Sequence, residues 1–300
     1  MTRNGQAKIF LTYFYPTPVF RSELMTPIQA DAARAAQRLD MIGDHTGDHI
    51  SEKNHRYGEL TAMYWVWKNW LPQNPRVEHI GFFQYRRLLD LCFQPGAAAE
   101  QAPRHSVFQR VNMEDYRFLW DRNCRADLSY LRDYDLVMSP KHRHREERLT
   151  LEEQYRKWHP ERDLDIALSL IEERCPKMKR ALRETLKAEI FYFTLVFVMR
   201  RAFFESFMAW LTALLTEVEK LSDWSAYDGY HQRRLPAFLG ERLLNVWIAY
   251  QIEANGLRVL ERPGCLLDGV KPDEPLPTKP PTPLIRSKDL PLASCGVSSL

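Results

Sequence analysis

Short, almost entirely apolar runs that alternate with helical patterns constrain the fold of this 300-residue chain most strongly. The runs KIFLTY (8–13), HIGFFQY (79–85) and YDLVMSP (134–140) each have the length of a strand. Between and after them come amphipathic stretches such as 201–221, in which apolar side chains recur at helical spacing. Strands that alternate with helices predict an α/β sandwich with a mainly parallel central sheet and a helical C-terminal half.

The remaining element predictions fill in this pattern. Helices are expected at 26–40, 57–71, about 150–188 and 239–256. Strands are expected at 190–199 and 257–263, and a polar loop at 43–56. Because ligands of parallel sheets bind at the carboxyl ends of the strands, the ends of the first three strand runs form the candidate site.

The C-terminal segment differs in composition from the rest of the chain. Eight of the 19 prolines lie at or after Pro263, which indicates an extended segment instead of a packed one. We therefore expect one domain over 1–262 and a proline-rich tail over 263–300.

Charge, cysteine use and hydropathy exclude several classes of protein. A formal net charge of +3 is too small to indicate nucleic-acid binding. Five scattered cysteines without a C-x-x-C pair argue against a disulfide framework or a structural zinc and fit a reducing compartment. The N-terminal run lacks the pattern of a signal peptide, and no apolar run approaches the ~20 residues of a membrane span. A cytoplasmic protein is expected, with peripheral association at the inner face of a membrane as an open alternative.

Two arginines follow the apolar run 79–85 directly. Arg86 and Arg87 occupy the position where an α/β protein holds an anionic ligand, and guanidinium groups match phosphate oxygens in a bidentate manner. The alternative is that one arginine pairs with a structural carboxylate while the other faces solvent.

A dense polar run, GDHTGDHISEKN (43–54), precedes an aromatic helix. Its side chains are suited to bind the hydroxyls of a sugar or ribose, with Lys53 near a phosphate; the candidates are Asp44, Thr46, Asp48, Ser51, Lys53 and Asn54. A loop of Asx-turns that leads into a capped helix is the structural alternative. A metal site formed by the aspartates and histidines of 43–49 would instead indicate a metal-dependent hydrolase, although no ligand spacing supports it.

A carboxylate in the segment LPAFLGERLLNVWI is the candidate general base. Glu241 is expected in the first turn of a helix after Gly240, where the helix N-terminus would keep it ionised. The alternative is a favourable helix charge without chemistry, bonded to a neighbouring arginine. A P-loop, a dinucleotide fingerprint and a G-x-S-x-G motif are all missing from the sequence.

Five segments together resemble one family. They are GDHTGDHISEKNHRYGELTAMYWVWKN, HIGFFQYRRLLDL, DYDLVMSPK, EEQYRKWH and RRLPAFLGERLLNVWI, in this order over about 8–255. This combination is similar to the DUF4422 family of bacterial capsule, exopolysaccharide and lipopolysaccharide gene sets. The resemblance implies a GT-A-like, Rossmann-type sandwich and a glycosyltransferase, of hexosyltransferase class. It would move a sugar from a nucleotide-sugar, a UDP-sugar first of all, to a growing surface polysaccharide or a lipid-linked acceptor.

The resemblance also implies roles for individual residues. Gln84, Tyr85, Arg86 and Arg87 stand where many GT-A enzymes carry an Asp-x-Asp metal motif, so an arginine pair would neutralise the diphosphate. No metal ligand is assigned, and a divalent metal stays an open alternative. Glu241 falls where such enzymes place the base, and Arg234 is assigned to substrate binding.

This sequence departs from the family pattern at several polar positions. The family has His at Gln84 and Asn at His45 and His49, Cys at Gly58, and Asn-Met-Phe at 194–196. These departures leave open a non-catalytic module of the same fold that binds a nucleotide or glycan in a polysaccharide assembly complex.

Overall fold

The computed structural model describes residues 7–92, 108–143, 148–227 and 233–269. Its strands, numbered in chain order, are β1 (Ala7–Tyr13), β2 (Met25–Gln29), β3 (Ile42–Gly43), β4 (His79–Gln84), β5 (Arg87–Leu89), β6 (Phe108–Val111), β7 (Leu136–Met138), β8 (His142–Arg143), β9 (Ile190–Phe191), β10 (Phe197–Arg200), β11 (Val259–Glu261) and β12 (Gly264–Leu267). Its α-helices are α1 (Asn54–Tyr57), α2 (Leu60–Trp65), α3 (Met113–Cys124), α4 (Leu151–Trp158), α5 (Glu161–Arg174), α6 (Lys179–Leu186), α7 (Arg201–Leu221) and α8 (Leu235–Asn255). A π-helical turn, Val66–Trp70, continues α2.

The central sheet is mainly parallel, as the sequence predicts. Its strand order is β11-β7-β10-β4-β1-β2-β3, in which β10 runs antiparallel to both neighbours and the other pairs are parallel. Strands β5, β6 and β12 extend the sheet from the end of β4. The predicted α/β fold class is confirmed.

Both faces of the sheet are buried at its centre, which explains why the central strands β1, β4, β7 and β10 are mostly apolar. In β1 the side chains alternate: Phe10 packs in the core beneath α7 and α8, whereas Ile9 and Leu11 pack in the core beneath α3. All three are fully buried. Period-two alternation in a strand covered on both sides therefore divides one apolar run between two cores.

The parallel direction of the strands gathers their carboxyl ends at one edge of the sheet. The residues at this edge are Tyr13, Gln29, Gln84, Met138 and Glu261, and β10 begins there at Phe197. The predicted convergence of the first three strand runs is confirmed. We call this edge the carboxyl edge.

Close packing of α8 against α2 brings two acidic residues together at the carboxyl edge. A Cβ atom on Gly240 would lie 2.9 Å from Leu60 Cδ1, so glycine permits an approach that a larger residue would obstruct. Glu241 and Glu59 are the direct neighbours of these two contact residues. The packing of one glycine thus places the two carboxylates in one region of the protein.

The predicted helix at 26–40 is wrong. Its first residues form β2, which pairs with β1 in parallel register, and turns follow from Ala30 onward. Asp31 has φ of 59°, a left-handed conformation that a continuing α-helix does not contain. Pairing with a neighbouring strand, which is a tertiary interaction, outweighs the helix propensity of the alanines.

Other boundaries also differ from the predictions. The expected strand 190–199 is instead two short strands, β9 and β10, which are joined by a mostly buried segment without strand pairing. The helix expected from 239 begins at Leu235. Helix α3 and five strands have no counterpart among the predicted elements; the strands are β3, β5, β6, β8 and β12. Strand β12, which pairs with β5 in the sheet, lies beyond the expected domain boundary at 262. Most of the expected tail, from 270 onward, lies outside the described residues.

Candidate active site

The two predicted arginines lie at a tight hairpin on the carboxyl edge. Strand β4 ends at Gln84, the turn consists of Tyr85 and Arg86, and Arg87 pairs with Gln84 at the start of β5. Tyr85 anchors the turn, because its side chain is buried and its carbonyl oxygen accepts a hydrogen bond of 2.9 Å from the Tyr116 hydroxyl. Arg86 is half-buried, and its guanidinium makes no ion pair or hydrogen bond with the described residues.

Arg87 is held by a chain of hydrogen bonds. Its Nη1 donates to Gln84 Oε1, and Gln84 Nε2 donates to Glu59 Oε1 at 2.9 Å. Burial lowers the pKa of Arg87, as does the nearby charge of Arg86, while the carboxylates of Glu59 and Glu241 act in the opposite direction. A guanidinium still carries its proton at neutral pH, so the hairpin presents two positive charges side by side.

Glu241 lies in the second turn of α8, since the helix begins six residues earlier with Pro236 in its first turn. The predicted first-turn position is therefore wrong, and the helix N-terminus does not stabilise its charge. Burial raises the pKa of Glu241 to about 7; the nearby Glu59 also raises it, and Arg242, Arg87 and Arg234 lower it. The expectation that the helix N-terminus keeps Glu241 ionised is therefore wrong, because burial raises its pKa instead.

One oxygen of Glu241 belongs to a partly buried ion pair. Its Oε2 accepts a hydrogen bond of 2.7 Å from Arg242 Nη1, and the side chain of Arg242 is only 8% exposed. Gln154 of α4 accepts two further bonds from Arg242, at 2.8 and 3.2 Å. The other oxygen, Oε1, accepts no hydrogen bond from the described residues, and the Glu241 side chain is 22% exposed.

Arg234 lies over a glycine next to Glu59. Its Nη2 is 2.6 Å from the position that a Cβ on Gly58 would occupy, and Gly58 has φ of +53°. Both the backbone angle and the side chain above it therefore favour glycine here. We use the name arginine–glutamate cluster for the group formed by Arg86, Arg87, Arg234, Arg242, Glu59 and Glu241.

Three residues of the polar run 43–54 serve the loop itself. Asp44 Oδ1 accepts hydrogen bonds from Ala32 N at 3.0 Å and Ser51 Oγ at 2.5 Å. Asn54 Nδ2 donates to Gly58 O at 2.7 Å, and all three predicted side chains are buried. Each of the three side chains thus satisfies polar groups of the loop, and ligand contact by Asp44, Ser51 and Asn54 stays a prediction.

The other three predicted residues of the run also have protein partners. Trp65 Nε1 donates to both oxygens of Thr46, and the Tyr64 hydroxyl donates to Asp48 Oδ1 at 2.9 Å. Lys53 Nζ lies 2.6 Å from Glu219 Oε2 on α7. The run starts three strands away from Arg86 along the carboxyl edge, a separation of about 14 Å at ordinary strand spacing. Ligand contact by Thr46, Asp48 and Lys53 stays a prediction.

The metal-ligand interpretation of residues 43–49 has no geometric support. Asp44 and Asp48 bond to hydroxyl groups, and His49 Nδ1 lies 3.4 Å from a Glu52 oxygen. Within the described ranges, no group of three or more His, Cys, Asp or Glu side chains is arranged to hold a metal ion. Across the same ranges, no helix is both long and apolar enough to span a bilayer.

Sequence reasoning missed Glu59, Gln154 and the role of Arg242. Glu59 and its partner Gln84 are 25 residues apart, and Arg242 and Gln154 are 88 apart, so no local pattern connects either pair. The usable signal for Glu59 is its place directly after Gly58, because a carboxylate at the start of an apolar helix stands out.

Comparison with known proteins agrees with the fold. A model of the family described as a domain of unknown function, DUF4422, matches residues 8–252. No curated protein matches the chain. A solved structure described as the apo form of the bifunctional glycosyltransferase WbbM superposes with a TM-score of 0.75 at 24% identity. The superposition covers 88% of this chain and 46% of that one, so the chain spans less than half of that protein's length. At this identity the likeness shows a shared fold.

Proposed function

Because the chain belongs to the DUF4422 family, whose model matches residues 8–252, we propose that it is a glycosyltransferase acting on a nucleotide-sugar donor. The likeness in fold to a solved glycosyltransferase supports this proposal. The observation that carries it is the paired arginines of the β4–β5 hairpin, at the edge where parallel sheets bind ligands.

The charges of the arginine–glutamate cluster suit a diphosphate. It contains four guanidinium groups and two carboxylates, so it keeps an excess of two positive charges even with both carboxylates ionised. Each phosphate of a nucleotide-sugar's diphosphate carries a negative charge. The Arg86 guanidinium lies 5.9 Å from the centre of the Tyr85 ring but forms no ion pair with a carboxylate of the described residues. Guanidinium groups at this position would bind the donor and stabilise the nucleoside diphosphate as it leaves.

Glu241 is proposed as the general base of an inverting transfer. Its Oε1, which accepts no hydrogen bond from the described residues, would take the proton of the acceptor hydroxyl. At the same time the acceptor oxygen bonds to the anomeric carbon, and the bond from this carbon to the diphosphate breaks. A base is most effective when its pKa lies near the working pH, and the pKa of Glu241 is raised to about 7. Arg242 would hold the carboxylate in place through the other oxygen.

The resemblance of the sequence supplies the finer part of the proposal. On that basis the donor is a UDP-hexose, and the acceptor is a growing surface polysaccharide or a lipid-linked glycan at the cytoplasmic face of a membrane.

A non-catalytic binding module of the same fold is the second candidate. The observation that favours it is the ion pair between Glu241 and Arg242, which is also what a structural glutamate would form. Such a module would bind the nucleotide through the same arginines but would not turn it over.

Nucleotide binding by an Arg86→Ala variant tests the proposal directly. Because hydrogen bonds to charged groups contribute about 1.5–3 kcal/mol, affinity for UDP should fall about 10- to 150-fold. Uridine affinity should stay unchanged, since uridine has no phosphate. Isothermal titration calorimetry with UDP, GDP and uridine gives the comparison.

The matched control is Arg76→Ala, which removes an exposed arginine at the opposite edge of the sheet, just before β4. This control should bind UDP like the wild type. Equal losses for UDP and uridine in Arg86→Ala would contradict phosphate recognition. A panel of nucleotide-sugars, with product analysis, then separates the two candidates, because the binding module releases no nucleoside diphosphate.

A further inference from the structure

Glu59 is a buried carboxylate that neither the sequence analysis nor the proposed reaction uses. It is 8% exposed and precedes α2 directly, where its backbone already has helical angles. Its oxygen Oε1 accepts the hydrogen bond from Gln84 Nε2 at 2.9 Å. A carboxylate this deeply buried is costly unless it serves an interaction.

We propose that Glu59 is a positioning residue of the site, which fixes the Gln84 amide against Arg87 and places a second carboxylate beside Glu241. The inference rests on the proposed function, because it assigns Glu59 to the phosphate-binding arginine and to the base of that same reaction.

The Gln84 amide can bond to Glu59 in only one direction. An amide has a donor end and an acceptor end, whereas an ionised carboxylate is an acceptor only. Since Glu59 binds the NH₂ end of Gln84, the oxygen end must point away from Glu59, and there it accepts from Arg87 Nη1. Glu59, at the start of α2, thereby fixes the position of a guanidinium on β5.

Four charged side chains face Glu241. From its own helix come Arg242 and, at the N-cap, Arg234; from β5 comes Arg87; and from the start of α2 comes Glu59. Among these charged groups Glu59 alone is negative, so it is the one that strengthens proton binding by Glu241. Burial has the largest effect in the same direction, and together they hold the pKa of Glu241 at about 7.

Two variants separate the roles of orientation and charge. Glu59→Gln removes the charge but keeps an oxygen that can accept from Gln84, so UDP affinity should stay within about threefold of the wild type. With the negative charge gone, the pKa of Glu241 should fall. The acidic limb of the kcat profile should then move to lower pH by about half a unit or more.

Glu59→Ala should shift the same limb and also weaken UDP binding. Loss of one hydrogen bond that anchors Gln84 should reduce affinity about 2- to 10-fold, in line with the usual range for such bonds. Glu205→Gln is the control, since this residue pairs with Arg201 within α7 and should change neither quantity.

A direct titration keeps the test independent of turnover. In protein labelled with ¹³C at glutamate carboxyls, the Glu241 signal is assigned by its loss in Glu241→Gln, and its midpoint is compared between wild type and Glu59→Gln. A lower midpoint in Glu59→Gln supports the inference, and an unchanged or higher midpoint overturns it. If wild-type protein neither binds UDP nor turns over a donor, the proposed function fails, whereas this titration still reports on Glu59 and Glu241.

Discussion

Replacing Glu241 by Gln removes the proposed base while leaving most of its surroundings in place. Glutamine has the same shape, and its amide oxygen can still accept from Arg242, which lies 2.7 Å from the present carboxylate oxygen. An amide cannot take a proton from the acceptor hydroxyl at neutral pH. Loss of a general base typically lowers turnover about 10²- to 10⁴-fold, whereas donor affinity should change little.

Glu241→Gln should not destabilise the folded protein at high pH, whereas replacing a carboxylate that stabilises the fold would do so. The folded-state pKa is raised from 4.5 to about 7, so the folded protein holds this proton more tightly than the unfolded chain does. Ionising Glu241 therefore costs folding free energy, about 3 kcal/mol in full at pH 8. The cost declines as pH falls from 7 toward 4.5, where the group is protonated in both states.

Two measurements follow from this reasoning. Thermal unfolding should give the variant a Tm at pH 8 that is equal to or above that of wild type, with the difference disappearing near pH 5. Release of nucleoside diphosphate should be measured on the same samples, with Glu205→Gln as a control that removes a carboxylate far from the carboxyl edge. Because single domains are stable by about 5–15 kcal/mol, even an unexpected loss of 3 kcal/mol would leave the variant almost fully folded. Unfolding alone would then lower the rate by less than about twofold.

Wild-type turnover in a folded Glu241→Gln variant would refute the assignment of the base. A lower Tm at pH 8 with an unchanged rate per folded molecule would instead identify Glu241 as the structural partner of Arg242. Either result would leave the phosphate-binding role of the hairpin arginines intact, because that role depends on other side chains.

Two further predictions concern the polar run. Ser51→Ala leaves Asp44 Oδ1 with one fewer buried hydrogen bond. It should lower the free energy of unfolding by about 1–3 kcal/mol without changing UDP affinity. A tenfold loss of affinity at unchanged Tm would show instead that Ser51 contacts the ligand. Burial alone would raise the pKa of Glu219, but hydrogen bonds from Lys53, Arg56 and Tyr57 lower it. Ionised Glu219 therefore stabilises the folded protein above the unfolded pKa of about 4.3. This stabilisation is lost as the pH falls through the folded pKa. Glu219→Gln should therefore be less stable than wild type by about 1–3 kcal/mol at pH 7. Urea unfolding should show that this difference in unfolding free energy disappears below pH 4. A difference that is the same at every pH would contradict the ion-pair explanation.

The sequence pattern of a segment predicts its secondary structure wherever that structure depends mainly on the segment's own residues. The helix predicted over 201–221 is α7 with the same two boundaries, because its apolar residues keep one face buried along the whole length. Strand β4 was predictable because a short run of large apolar residues suits a strand covered on both faces. Arg86 and Arg87 could be placed at the carboxyl edge because they follow that strand directly.

Contacts between distant parts of the chain decided the rest. The first residues of the segment 26–40 belong to β2 because they pair with β1, and turns follow instead of a helix. The local sequence does not predict this pairing. The polar run 43–54 satisfies itself through bonds such as that of Ser51 to Asp44 and through Glu219 on α7, so its density of polar groups does not by itself indicate a ligand.

The sequence by itself determined the α/β class, the parallel sheet and the chemistry available at its edge, since alternation and strand ends are local properties. Only the tertiary structure decided which of those groups meet. It placed Glu59 against Gln84 and Arg87, fixed Glu241 to Arg242 in the second turn of α8, and raised the pKa of Glu241 instead of lowering it. The physical reason is that burial and the charge of neighbours set the proton affinity of a carboxylate, and both depend on which surfaces pack together.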